Sequence, residues 1–211
     1  MAQVKELYDA ILNGNAKQAH NSTEAALAAG ADAMELIASS MVPAMDEVGR
    51  LYEEEEYFVP ELLLAGRAMK AAMELLKPCL AASGSRLATR IVIGTVKGDL
   101  HDIGKNIVAS MLEGSGFEVF DLGTDVLPES FVAAIDERQP QIICMSALLT
   151  VTMPAMRSTI EAIVAAGKRD KVKVIIGGAP VTSQYAEEIG ADGYSENASG
   201  AVTLVKNLIA A

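Results

Sequence analysis

The sequence is poor in aromatic residues, positive charge and cysteine. It has no tryptophan, four phenylalanines and five tyrosines among 211 residues, so it lacks the interleaved aromatic side chains on which single-stranded nucleic acid stacks. Its 17 basic residues stand against 28 acidic ones, a net charge of −11. Because a surface of that sign repels phosphate backbones and anionic lipid headgroups, we expect no nucleic acid and no membrane among the partners.

Long apolar segments that would direct the chain to or through a membrane are also lacking. Residues 1–14 carry acidic side chains among the apolar ones, unlike the core of a secretion signal. The longest uncharged stretch, Gln139–Met156, contains hydroxyl residues and two prolines, which is typical of a buried strand and its loop. The only cysteines, Cys79 and Cys144, each lie in an apolar run, which predicts buried, reduced thiols. We therefore expect a cytoplasmic protein.

Half of the residues are hydrophobic (51%) and 21% are charged, which favours packed cores over disorder. Up to residue 80, apolar residues recur every three or four positions, as in Met41, Met45, Val48 and Tyr52. This spacing predicts four helices in an antiparallel bundle. The segment 78–90 is small and polar, so we place a helical domain at 1–80, a linker at 81–89 and a second domain at 90–211.

After residue 90, short β-branched runs alternate with helical stretches. The predicted strands are Arg90–Val96, Phe117–Gly123, Gln141–Ala147, Val172–Gly178 and a weak fifth at Gly193–Ser195, before a last helix at Ala198–Ala210. This alternation predicts a flavodoxin-like, Rossmann-like domain with a five-stranded parallel sheet covered on both faces. Ligands of such sheets bind outside the carboxyl ends of the strands, which directs attention to the loops that follow them.

The loop after the first strand contains Asp99, His101 and Gly104 in a D-x-H-x-x-G arrangement. Its glycine spacing does not match a phosphate-binding loop. A carboxylate two residues from an imidazole can accept the hydrogen of one ring nitrogen and leave the other free as a metal ligand. A loop histidine satisfied by its neighbours is the alternative interpretation.

Two further loops contribute hydroxyls and glycines. Ser146, Thr150 and Thr152 alternate along the chain, so on an extended segment their hydroxyls share one face and line a cavity, unless they cap the next helix. Gly177 and Gly178 allow a backbone to approach a bulky ligand, or else form an ordinary turn at a strand end. The coincidence of three loops favours a binding site.

Together these motifs resemble the cobalamin-binding domain of corrinoid methyltransferases. The matching parts are the D-x-H-x-x-G stretch at 95–108, S-x-L at 146–148 and G-G at 177–178. Residues 41–78 resemble the helical cap of methionine synthase and of the small corrinoid proteins that serve methanol, methylamine and O-demethylase systems. The resemblance covers nearly the whole chain and implies a helical cap followed by a cobalamin-binding domain.

The resemblance also implies roles for individual residues. His101 becomes the lower ligand of cobalt, Asp99 binds the second imidazole nitrogen, and Thr152 stands where the family has a serine as third member of the relay. Ser146 and Thr150 contact the displaced base and tail of the cofactor, while Gly177 and Gly178 make room for the nucleotide. The remaining expected contacts are Gly98, Asp102, Ile103, Gly104, Leu148, Ala179, Tyr194, Asn197 and Ala198, with Phe58 over the upper face of the corrin.

The function that the resemblance implies is that of a methyl carrier with cobalamin or a related corrinoid as cofactor. One substrate-specific methyltransferase loads the methyl group onto cobalt, a second passes it to a folate or thiol, and a reductive activase is a third partner. Such a subunit is not expected to turn over alone. Alternatives are a mutase subunit, which should lack the helical cap, a cobalamin-sensing regulator, which needs a basic DNA-binding module, and a flavin-binding protein, which would not explain Asp99 and His101.

Overall fold

The computed structural model describes residues 2–83 and 89–210 of the chain. They form two compact units. The first comprises Met1–Ala88 together with Ser110–Phe117, and the second comprises Thr89–Ala109 together with Glu118–Ala211. The sequence did not predict that a short segment from the second half of the chain groups with the first unit.

The first unit is helical, as predicted. Its helices are α1 (Ala2–Leu12), α2 (Ala16–Ala28), α3 (Ala33–Leu36), α4 (Val42–Glu53) and α5 (Val59–Ser83), and a π-helical segment, Ile37–Met41, joins α3 directly to α4. Two helices begin at a polar cap, because the side chains of Asn15 and Asp32 accept hydrogen bonds from backbone N–H groups three residues later. The core consists mainly of aliphatic and methionine side chains, among them Leu7, Ile11, Met41, Met45, Met69 and Leu76.

The second unit is built on a five-stranded parallel sheet. Its strands are β1 (Arg90–Thr95), β2 (Glu118–Asp121), β3 (Ile142–Ser146), β4 (Lys173–Gly177) and β5 (Gly193–Ser195). Their spatial order is β2-β1-β3-β4-β5, which confirms the flavodoxin-like prediction. The central strands β1, β3 and β4 are buried over most of their length, which explains their near-continuous apolar sequences.

The helices of this unit are α6 (Ile103–Gly114), α7 (Pro128–Arg138), α8 (Pro154–Ala165), α9 (Ser183–Ile189) and α10 (Ala198–Ala210), with a 3-10 turn at Arg169–Lys171. The sequence prediction missed α9, which has only seven residues. Its signals are local: Thr182 caps the first turn through a hydrogen bond from the N–H of Tyr185, and Gly190 ends the helix in the left-handed conformation.

Two predictions near the end of α5 were wrong. The helix continues through Pro78 to Ser83, so the connector predicted for 78–90 is helical in its first part, and 84–88 lie outside the described residues. Leu76 and Leu80, on either side of Pro78, are buried, and this packing outweighs the preference of proline for helix ends. Cys79 is exposed, because those leucines occupy the buried face, whereas Cys144 is buried as predicted.

Within the described part of the chain, helices long and apolar enough to cross a bilayer are absent.

Candidate functional site

The predicted site lies at one edge of the sheet. In the register of the parallel strands, Thr95 of β1 pairs with Ser146 of β3, and Ser146 pairs with Gly177 of β4. The loops that follow these three strands therefore begin side by side. This is the edge at which open parallel sheets bind their ligands.

The carboxylate of Asp99 is the centre of the site and is fully buried (0% exposed). Its Oδ1 accepts a hydrogen bond from the backbone N–H of His101 at 3.0 Å and lies 2.8 Å from the ring Nδ1 of the same residue. Its Oδ2 accepts hydrogen bonds from the Thr152 hydroxyl at 2.7 Å and the Leu148 N–H at 2.8 Å, with a longer contact of 3.4 Å from the Leu149 N–H. One side chain thus ties the loop after β1 to the loop after β3.

These contacts set the ionisation of Asp99. Burial raises the pKa of its carboxyl group, but the hydrogen bonds from Thr152, Leu148 and His101 together lower it by more, so the pKa lies well below its usual range. At neutral pH the group is therefore an anion, which can only accept hydrogen bonds. The nitrogen that faces it, Nδ1 of His101, then carries the ring hydrogen, and Nε2 is left with a free lone pair.

The imidazole is accessible from outside the protein. The His101 side chain is 52% exposed, and within the described part of the chain no hydrogen-bond partner reaches its Nε2. Its chain neighbours Leu100 and Ile103, and Val151 next to Thr152, are apolar side chains exposed by between 71% and 80%. Exposed apolar side chains around a polar centre are typical of a ligand-binding surface.

The single imidazole nitrogen of His101 fits a metal whose other coordination positions are already occupied by a cofactor. Among residues 2–83 and 89–210, no group of three or more His, Cys, Asp and Glu side chains is placed to hold a metal ion. A single free imidazole nitrogen is too few donors for a bare ion, which proteins bind with three or four ligands. It suits a metal held in a macrocycle, to which the protein adds one axial ligand. The open space at Gly104, where an added Cβ would meet nothing within 4 Å, leaves room beside the histidine loop.

The second loop differs from the prediction in one respect. The hydroxyls of Ser146, Thr150 and Thr152 were expected on one face of an extended segment, but the chain turns after Leu148. Thr152 is buried and points to Asp99, whereas Thr150 is exposed and Ser146 is half-buried. Leu148 contributes its backbone N–H. The expected contacts of Ser146 and Thr150 with the cofactor stay predictions.

The two glycines at the end of β4, Gly177 within the strand and Gly178 after it, are required by the sheet itself. A Cβ on Gly178, which has φ +129°, would lie 1.9 Å from the carbonyl oxygen of Ala147, and one on Gly177 would lie 2.9 Å from that of Ser195. This contact supports the alternative that the pair serves the turn at the strand end. Its role in making room for a nucleotide tail stays a prediction.

The remaining predicted residues lie in several places. Asp102 is exposed and accepts a hydrogen bond from the Asn106 side chain at 3.1 Å, and Ala179 is exposed beyond β4. Asn197 links β5 to the first turn of α10. The carbonyl of Asn197 accepts a hydrogen bond from the Ser195 hydroxyl, and its side-chain oxygen accepts one from the Gly200 N–H, each at 2.7 Å. Ala198, the next residue, is buried. Tyr194 is half-buried in β5. Phe58 belongs to the helical unit, where it is 60% exposed.

Sequence reasoning missed three residues that contact this loop or its helix. The buried Thr95 donates a hydrogen bond to the carbonyl oxygen of His101 at 2.8 Å. Asp125 accepts one from the N–H of Gly98 at 2.7 Å. Lys105 is almost fully buried, and its Nζ lies 2.5 Å from Oδ2 of Asp121. Nothing in the local sequence marks Thr95 or Asp125, because each contributes through a hydrogen bond to a loop residue some distance along the chain. Lys105, a lysine among apolar residues at the start of α6, was a signal for a buried ion pair.

Comparison with known proteins finds similar sequences over most of the chain. A family model described as a B12 binding domain matches residues 89–203, and another with the same description matches residues 3–77. Trimethylamine corrinoid protein 1 of Methanosarcina acetivorans is 44% identical over 203 residues, 95% of this chain and 94% of that protein. Dimethylamine corrinoid protein 1 of the same organism is 46% identical over 180 residues, 85% of this chain and 84% of that protein.

A solved structure extends the similarity to three dimensions. The crystal structure of the methanol:cobalamin methyltransferase complex from Methanosarcina barkeri matches with a TM-score of 0.88 and 30% identity, over 99% of this chain and 80% of that chain.

Proposed function

Because the chain belongs to the family of B12-binding corrinoid proteins, we propose that it carries a methyl group between two methyltransferases. Its cofactor is cobalamin or a related corrinoid. The cobalt of that cofactor supplies the centre at which a methyl group is accepted and released. The protein supplies binding, orientation and axial ligation.

The observation that carries this proposal is the free Nε2 of His101. The buried Asp99 anion fixes the hydrogen on Nδ1 and limits rotation of the ring, and Thr152 and the Leu148 N–H fix the carboxylate in turn. His101 would thereby be held ready as a ligand for the cobalt. The exposed apolar side chains Leu100, Ile103 and Val151 would provide an apolar surface for the macrocycle.

We assign the methyl donors to the methylamines. The relatives named for trimethylamine and dimethylamine are 44% and 46% identical to this chain, whereas the matching chain from the methanol complex is 30% identical. One partner is then a methylamine-specific methyltransferase. The second methyltransferase, with a folate or thiol as acceptor, the reductive activase and the cytoplasmic location remain predictions from the sequence.

The rival functions are less well supported. A mutase subunit was expected to lack the helical cap, yet a B12 binding domain model matches residues 3–77. A regulator was expected to add a basic DNA-binding module, whereas the relatives that match 95% and 85% of this chain are named trimethylamine and dimethylamine corrinoid proteins. A flavin protein gives no reason for the free imidazole beside a buried carboxylate.

The axial ligand can be identified because the sequence has only two histidines, His20 and His101. We expect the electron spin resonance spectrum of the protein loaded with cob(II)alamin to show nitrogen splitting, and histidine labelled with nitrogen-15 to change that splitting from three lines to two. The change should persist in His20→Ala and be lost in His101→Ala.

His20→Ala is the matched control, because His20 lies in α2 of the helical unit. An unlabelled pattern in the nitrogen-15 protein would show that the ligand is not a histidine, and the assignment would fail. Methyl transfer from trimethylamine, dimethylamine and methanol, each with its own methyltransferase, tests the donor class. Transfer from methanol alone would contradict the assignment to methylamines.

A further inference from the structure

The backbone of the histidine loop, residues 97–102, forms hydrogen bonds with residues outside the loop as well as within its own turn. The Asp99 N–H donates to the carbonyl of Val96, the residue before the loop, at 3.1 Å, and the His101 N–H donates to the Asp99 carboxylate at 3.0 Å. These bonds shape the turn around Asp99.

Asp125 provides the connection at the start of the loop. Its Oδ1 accepts a hydrogen bond from the Gly98 N–H at 2.7 Å, and its own N–H donates to the Asp99 carbonyl at 2.9 Å. The residue follows β2 and has φ +53°, a left-handed conformation that aspartate and asparagine tolerate better than most residues. That conformation allows one residue to bond through both its side chain and its backbone.

Thr95 provides the connection at the end of the loop. It is the last residue of β1, is fully buried, and its hydroxyl donates to the His101 carbonyl at 2.8 Å. The backbone of Thr95 also bonds to the segment that contains Asp125, through Gly123 at 3.0 Å and Val126 at 2.9 Å. Both anchors of the loop therefore rest on the same short stretch of parallel backbone.

We propose that Thr95 and Asp125 are positioning residues for the cobalt ligand, which tie the histidine loop at both ends so that His101 is in place before the cofactor binds. The inference rests on the proposed ligation by His101. A ligand held in its binding conformation loses less entropy on binding, so loosening either tie should weaken the cobalt–imidazole bond while Asp99, Thr152 and His101 remain unchanged.

Paired variants separate the hydrogen bond from other effects. Thr95→Val removes the hydroxyl with little change in shape, and Thr95→Ser restores it. Asp125→Gly removes the acceptor but accepts the left-handed backbone, and Asp125→Asn keeps both the acceptor and the conformation while removing the charge. The matched controls are Thr159→Val, since Thr159 is a buried threonine bonded to the carbonyl of Ala155 in α8, and Gln139→Gly, since Gln139 is an exposed left-handed residue after α7.

Two measurements are made on the full chain. In the loaded protein, the fraction of cob(II)alamin that carries a histidine nitrogen should fall in Thr95→Val and Asp125→Gly, and the dissociation constant for cobalamin should rise by about two- to tenfold. In the cofactor-free protein, the amide hydrogens of Gly98 and His101 should exchange faster. Thr95→Ser, Asp125→Asn and both controls should stay close to the wild type.

The inference would be overturned if both Thr95→Val and Asp125→Gly kept the wild-type nitrogen splitting, the wild-type dissociation constant for cobalamin and the wild-type rate of amide exchange. If Thr95→Val does not fold, the exposed Asp125 still decides the matter. Absence of a histidine nitrogen in the wild-type protein would instead contradict the proposed function, and amide exchange in the cofactor-free chain would still show whether the two residues position the loop.

Discussion

Substitution of Thr152 by valine is the sharpest test of the hydrogen-bond arrangement around Asp99. Valine has nearly the shape of threonine and lacks its hydroxyl, so the change removes the 2.7 Å bond to Oδ2 of Asp99. The same hydroxyl lies 2.8 Å from the carbonyl oxygen of Leu149, but it has one hydrogen and donates to one acceptor at a time. Since Thr152 is 6% exposed, water cannot readily replace the lost donor.

The size of the effect follows from the contacts that remain. A hydrogen bond to a charged group contributes about 1.5–3 kcal/mol. Asp99 keeps the donors from the Leu148 N–H and from the N–H and ring of His101, so we expect a loss near the lower end, about 1–2 kcal/mol in the free energy of unfolding at pH 7. Thr152→Ser keeps the donor and removes one methyl group, which costs about 0.8 kcal/mol at most.

The loss should depend on pH in a defined direction. Because the folded-state pKa of Asp99 is lowered, its contribution to stability is present above the unfolded pKa of about 3.9 and is lost as the pH falls through the folded pKa. Removing the Thr152 donor raises the folded pKa toward that of the unfolded chain. The unfolded state is the same in both proteins, so the difference between wild type and Thr152→Val should stay constant until the pH falls through the folded-state pKa of the variant, which lies below about 3.9, and should shrink only at lower pH.

Urea unfolding of the cofactor-free protein, followed by circular dichroism because the chain has no tryptophan, measures the loss. The carboxyl carbon signal of Asp99 in nuclear magnetic resonance reports the pKa directly. Thr159→Val controls for removing a buried threonine hydroxyl that does not bind Asp99. A loss in Thr152→Val no larger than in Thr159→Val, or an unchanged titration of Asp99, would refute the reasoning.

Three further predictions test other parts of the structure. Gly178→Ala should lower the free energy of unfolding by about 3 kcal/mol or more, because the added Cβ would lie 1.9 Å from the Ala147 oxygen. The control Gly190→Ala, at φ +75° in open space, should lose only about 1–2 kcal/mol. Equal losses in urea unfolding would contradict the contact at Gly178. Ser40→Ala removes a buried hydroxyl that has no hydrogen-bond partner among the described residues, so stability should rise by about 0.5–1 kcal/mol, and a clear loss would show that the hydroxyl is bonded. A thiol reagent should label the exposed Cys79 in the native protein but not Cys144, because Cys144 is buried and burial raises the pKa of its thiol. Labelling that persists in Cys79→Ser would show that Cys144 is accessible.

The sequence predicted those features that depend on local pattern. Apolar spacing identified the helical unit, and β-branched runs such as 90–95 identified the central strands, because these parallel strands are covered on both faces. Asp99 and His101 were identifiable because they lie only two positions apart in the chain, so their contact is almost independent of the rest of the fold. The position of Thr152 beside Asp99 came only from the resemblance, since 53 residues separate the two.

The features that were missed depend on backbone conformation or on distant packing. Asp125 acts through a left-handed backbone angle that no periodic pattern reveals, and Thr95 looks like any β-branched residue of a buried strand. Cys79 lies on the exposed side of α5 because Leu76 and Leu80, on either side of Pro78, occupy the buried side. The turn after Leu148 leaves Thr150 exposed and Thr152 buried, and it is bonded through the Leu148 N–H to Asp99, 49 positions earlier in the chain.

The protonation of Asp99 limits what the relay from Thr152 to His101 can do. An acid whose pKa lies well below its usual range does not store a proton at neutral pH, because the anion is stabilised by four short hydrogen bonds that a neutral carboxyl would weaken or lose. A proton that reaches the imidazole must then enter at Nε2, on the exposed side of the ring, since Nδ1 already carries the hydrogen shared with Asp99. On the proposed ligation by His101, Thr152 and Asp99 would act on the cofactor by fixing the tautomer and direction of the imidazole, and a proton would reach the ring from solvent and not through the buried hydroxyl.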